Sequence, residues 1–153
     1  MMVIRDARID ARDLERVVCW QCPFLVELHL VAVSLVAVSD EIILRSTSLR
    51  RLNFEVGNAS RLVLDTPSIE ELSVSKLAKV SVAAVNPAET VPRRDADDPR
   101  RRRNPARHLR WLAVKGRSHQ VMPVLMRHFD TVDQLELDLA VSSVYLQNNN
   151  LFN

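Results

Sequence analysis

SLRRLNFEVGNASRLVLDTPSIEELSVSKLAKVSV, residues 48–82, stamps one apolar pattern into the chain at short intervals. Leu49, Leu52 and Phe54 fill an L-x-x-L-x-L frame, and Ile69, Leu72 and Val74 fill it again twenty positions later. Ala59, Leu62 and Leu64 repeat it between them, and Leu77, Val80 and Val82 follow. The last two apolar residues of each frame sit two apart, the alternation of a strand with one buried face, while the first packs from the preceding turn. A strand this short cannot bury its own apolar face. The copies therefore have to stack into a solenoid with one continuous core.

Working outward, the frame recurs at Leu25, Leu28 and Leu30, at Leu109, Leu112 and Val114, and at Val132, Leu135 and Leu137. The starts at 25 and 49 are 24 apart and those at 109 and 132 are 23 apart, a normal strand-plus-helix period for leucine-rich repeats. The central starts at 49, 59, 69 and 77 are too close for a helix in every copy. Alternate copies are therefore expected on opposite sides: 49 and 69 on an inner, concave sheet, 59 and 77 as outer return strands. The expected fold class is α/β, a leucine-rich-repeat solenoid with a parallel concave sheet and an outer side of short strands and short helices.

Leu14, Val17 and Val18 predict a short helix within Ile9 to Trp20, with Asp10 as its N-cap and Pro23 beyond its end. The first strand is expected to follow, at Leu25. Ser39 is placed to cap a helical turn over Asp40 to Arg45, and Val121, Val124, Leu125 and Phe129 suggest an outer helix with Pro123 in its first turn. Between Asn86 and His108 the periodicity disappears into prolines, aspartates and arginines, which reads as a mobile loop. Residues 1–141 are thus expected to form one repeat domain containing the loop 86–108, and 142–153 a polar, frayed tail.

The 153 residues suffice for one domain, and 47% hydrophobic content is ordinary, but aromatics make up only 5%, so the core must be aliphatic. The formal net charge of +2 is too small to imply an electrostatic partner for the whole chain. No apolar run approaches the roughly 18 residues needed to span a bilayer, and the charged start does not read as a signal peptide. A cytoplasmic or nuclear protein with no membrane partner is expected.

CPFLVELHL (22–30), TSLRRLNFEV (47–56), TPSIEELSV (66–74), RHLRWLAV (107–114) and LMRHFDTVDQLELDL (125–139) together resemble the leucine-rich-repeat region of plant F-box proteins of the FBD type. The resemblance covers roughly Leu14 to Leu139. It implies a repeat domain that recognises the substrate of an SCF-type ubiquitin ligase, with the SCF adaptor as a partner only if an F-box is supplied elsewhere, since nothing ahead of Leu14 resembles one. The ninth frame position, often Asn in such repeats, is Val33, Gly57, Leu77, Arg117 and Ala140, so no asparagine ladder is expected.

Chemistry finds little support in the residues. Cys19 and Cys22 have C-x-x-C spacing, but no second cysteine pair completes a zinc site, and structural thiols are the stronger reading. The four histidines share no metal-ligand spacing, no serine lies in a nucleophile elbow, and two glycines make no phosphate cradle. No cofactor, no metal and no enzymatic activity are expected. Arg100 to Arg103, with Arg93, Arg94 and Arg107, could bind nucleic acid, and this is the alternative function. Neighbouring Asp95, Asp97 and Asp98 and the lack of interleaved aromatics favour a solvated loop instead.

What remains is a non-enzymatic protein-protein interaction scaffold. Each frame projects its third and fifth residues to the concave face. These are Glu27 and His29, Arg51 and Asn53, Glu71 and Ser73, Trp111 and Ala113, and Gln134 and Glu136. Trp111 is the natural anchor for a protein partner.

Overall fold

A computed structural model describes residues 1–37, 41–82, 108–116 and 120–139. Most of the expected loop and the whole expected tail lie outside these residues.

The chain begins with two short strands, β1 (Met2–Arg5) and β2 (Arg8–Ile9), where the apolar alternation of Met2 and Ile4 is too brief to stand out in the sequence. They precede the strand expected to be first. Helix α1 (Ala11–Arg16) follows, capped by Asp10, whose carboxylate accepts from the Arg12 N–H at 2.8 Å. One π-helical turn, Val17–Gln21, continues it and keeps Val18 on the buried side with Leu14.

Nine further elements follow: β3 (Glu27–Leu35), β4 (Glu41–Arg45), β5 (Arg51–Gly57), β6 (Arg61–Asp65), β7 (Glu71–Ser75), β8 (Lys79–Val82), β9 (His108–Gly116), α2 (Val121–His128) and β10 (Thr131–Leu139). The fold is α/β. A larger parallel sheet runs β1-β3-β5-β7-β9-β10, with β2 also on β3, and a smaller parallel sheet runs β4-β6-β8. From β3 to β8 the chain visits the two sheets in strict alternation, as the half-period of the frames requires. The frames at 25, 49, 69, 109 and 132 supply neighbouring strands of the larger sheet in sequence order.

Leu28, Leu52, Leu72, Leu112 and Leu135 are successive Cα partners across it. The first four are buried together with Ile42, Leu44, Leu62 and Leu64 of the smaller sheet in a single aliphatic cluster. Each such Leu contributes roughly 1.5–3 kcal/mol through the apolar surface it removes from water. Helix α2 packs beside β8 and closes the cluster with Val121, Leu125 and Phe129.

Two local expectations are corrected. Residues 41–45 form strand β4 rather than a helical turn, because Ile42 and Leu44 alternate toward the core and pair with Leu62 and Leu64 of β6. A nearby Ser cannot outweigh a period-two apolar pair that has a strand to join. His108, the expected end of the loop, is already the first residue of β9.

Left-handed residues mark a bulge inside β3 and the ends of β7 and β9. Ala32 (φ 52), Lys76 (φ 60) and Gly116 (φ 82) all hold the eighth frame position, and the register of β1 and β2 sets Asp6 (φ 50) beside Ala32. A non-glycine residue there costs about 1–2 kcal/mol. The turn it makes sends the ninth residue inward: Val33 and Leu77 are both buried. Apolar side chains therefore fill the ninth position of these two frames.

Candidate interaction face

Strand alternation places the side chains between the core leucines on the opposite side of the larger sheet. The parallel register then aligns them across five strands. Glu27, Arg51, Glu71, Trp111 and Gln134 are successive Cα partners, and so are His29, Asn53, Ser73, Ala113 and Glu136. All ten residues that sequence spacing assigned to this face thus lie in two adjacent rows.

The first row is organised by Arg51. Its Nη1 donates to Glu27 Oε1 at 2.7 Å, and its Nε lies 3.3 Å from Glu71 Oε2. One guanidinium therefore ties three strands together. The next member of the row is Trp111, half-buried, followed by the exposed Gln134. In the second row Ser73 and Ala113 are buried, whereas the side chains of the first row stay partly or fully exposed. His29 Nε2 lies 3.9 Å from Glu27 Oε2.

Further ion pairs flank the rows. Lys115 Nζ meets Glu136 Oε1 at 2.8 Å, and this hydrogen-bonded carboxylate, with Asp138 near by, holds the ammonium above its ordinary pKa. Lys76 Nζ donates to Glu55 Oε1 at 2.9 Å, and His108 Nε2 lies 2.9 Å from Asp133 Oδ1. At the starts of the strands Glu70 stands between Arg50 (3.1 Å) and Arg110 (4.0 Å). Exposed pairs of this kind add little to stability, because solvent screens them. Their larger effect is to fix side-chain positions and to offset most of the charge on the face, and Trp111 is the one large aromatic in its two rows.

The spacing of the frames revealed these positions but not their pairing, which depends on strand register. Nothing in the sequence singles Arg51 out as the residue shared by Glu27 and Glu71.

The two thiols are free and half-buried. Cys19 Sγ accepts from the Arg45 N–H at 3.3 Å, and burial pushes its pKa up against the effect of that hydrogen bond. A raised pKa leaves less thiolate, the form that attacks disulfides and binds metals. Among the described residues no group of three His, Cys, Asp or Glu side chains is placed to hold a metal ion. No described helix is long and apolar enough to cross a membrane. Comparison with protein-family models, curated proteins and solved structures finds no match to this chain.

Proposed function

We propose that the chain is a protein-interaction scaffold of the leucine-rich-repeat type, and that the face carrying the two rows holds another protein. The observation that supports this reading is the alignment of ten residues across five strands, with the half-buried Trp111 in the same row as the Glu27–Arg51–Glu71 ion pairs. A rigid sheet presents such a surface with little ordering cost, and aromatic anchors beside neutralised charges are typical of binding hot spots. Carried over from the sequence resemblance, the bound protein is a substrate of an SCF-type ubiquitin ligase only if an F-box is supplied elsewhere.

The test is affinity capture with the full chain and two variants of the face, Trp111→Ala and Arg51→Glu, against Arg16→Ala on α1 as a control. The reading expects a protein that the wild type and the control retain and both face variants lose. Retention of the same proteins by all four chains overturns it.

A further inference from the structure

The smaller sheet carries a second feature that the interaction face does not use. Between β8 and the amino-terminal half of α2 lies a groove of about 620 Å³, lined by Glu41, Arg61, Lys79, Ser81, Gln120 and Val124 among others. Its volume is that of a small-molecule site.

The outer register explains its charge. Glu41, Arg61 and Lys79 are successive Cα partners across β4, β6 and β8, so two cations stand side by side on adjacent strands with one carboxylate behind them. Like charges in this arrangement are destabilising. Arg61 Nη1 lies 3.8 Å from Glu41 Oε2, so a single carboxylate stands against two cations and the row keeps a net positive charge. Arg61 leans the other way, and its Nε and Nη2 donate to Ser81 Oγ at 3.0 and 2.7 Å. A hydroxyl has two lone pairs and one hydrogen. With both lone pairs taken by the guanidinium, the Ser81 O–H is left as a donor, two residues along the same face from the Lys79 ammonium.

Arg61, Lys79 and Ser81 therefore bring positive charge and hydrogen-bond donors to one point of the groove. Gln120, the N-cap of α2, makes no side-chain capping bond, and it places the positive end of the helix dipole at the same groove. Ala78 and Val124 add apolar surface to the wall and Ser60 adds a hydroxyl, while the Val80 side chain is turned into the core. Two cations and a hydroxyl donor suit a doubly charged phosphate better than a singly charged carboxylate, and the apolar surface of Ala78 and Val124 suits an organic substituent. We propose that this groove binds a small phosphomonoester, its phosphate held by Lys79, Ser81 and Arg61 and its apolar part against Ala78 and Val124.

The probes are phenyl phosphate, inorganic phosphate and benzoate, titrated at constant ionic strength into the isotope-labelled full chain and followed by amide resonances. Phenyl phosphate is expected to shift Lys79, Ser81 and Gln120 saturably, to bind at least several-fold tighter than inorganic phosphate, and to leave benzoate well behind. Lys79→Ala and Ser81→Ala are each expected to weaken it about tenfold, the loss of one hydrogen bond to a charged group. Lys79 is exposed, and Lys79→Gln provides a second variant that keeps most of the stem while removing the charge. Trp111→Ala should leave this binding unchanged. Shifts that do not saturate, equal affinity for phenyl phosphate and benzoate, or equal affinity in the wild type and both Lys79 variants would overturn the assignment.

Discussion

Leu112 and Leu135 are Cα partners across β9 and β10, yet Leu112 is fully buried and Leu135 is 47% exposed. They occupy the same frame position. What differs is the layer beneath them, since Leu137 on the same strand is also 48% exposed. The contribution of an identical side chain is therefore graded along the sheet.

Replacing the fully buried Leu72 by Ala should cost roughly 2–5 kcal/mol, because a cavity forms between the two sheets. Leu135→Ala should cost less than about 1.5 kcal/mol, as only part of its surface is removed from water. Denaturant unfolding of the two variants measures the difference. Equal losses would contradict the graded packing.

The left-handed corners can be tested by backbone chemistry alone. Ala32→Gly relieves a φ of 52 at an exposed site, and the gain is partly offset by the freer unfolded chain, so a net stabilisation of up to about 1 kcal/mol is expected. Gly116→Ala should lower stability by about 1 kcal/mol: the added Cβ meets only ordinary contact, Lys76 N at 3.8 Å, and the loss comes from φ 82. Opposite signs for the two changes are the expected outcome of thermal or denaturant unfolding.

Burial of Cys19 predicts a pH effect. With its folded pKa raised, the unfolded chain loses the thiol proton first as pH climbs past the ordinary thiol value of about 8.5, and the folded chain then holds more protons. Stability from this group is intact below that value and is lost as pH rises through the folded pKa. The stability difference between the wild type and Cys19→Ser should therefore shift against the wild type on going from about pH 7 to pH 10. A difference constant across that window would contradict it.

Most of the larger sheet was legible because its signal is local: two apolar residues two apart, reached from a third, recur often enough to fix both the strands and the outward positions between them. Alternation of sheets was legible from the short interval between Leu49, Ala59 and Ile69. Strand β1 was not, since Met2 and Ile4 acquire meaning only when β3 lies beside them. At Glu41–Arg45 the sequence carried two signals, a capping Ser and the Ile42/Leu44 alternation, and pairing with β6 decided between them. The Arg51 ion-pair network and the Arg61–Ser81 contact depend on which residues are brought opposite each other in parallel register. No pattern within a single strand encodes that.

If the interaction face is electrostatically neutralised by its own pairs, a protein complex formed there should weaken only modestly between about 50 and 200 mM salt. A complex held by phosphate contacts through arginines would lose orders of magnitude in affinity over the same range. Binding measured across that series separates the two modes of recognition.

The central claim is that the larger sheet, not the smaller one, meets the partner, and site-specific photo-crosslinking tests it most directly. A photoreactive residue placed at position 53, between Arg51 and Glu55 on the outward side of β5, is compared with one at position 63, on the outward side of β6. A covalent adduct with the captured protein is expected from position 53 and none from position 63. Adducts only from position 63, or equally from both, would contradict it.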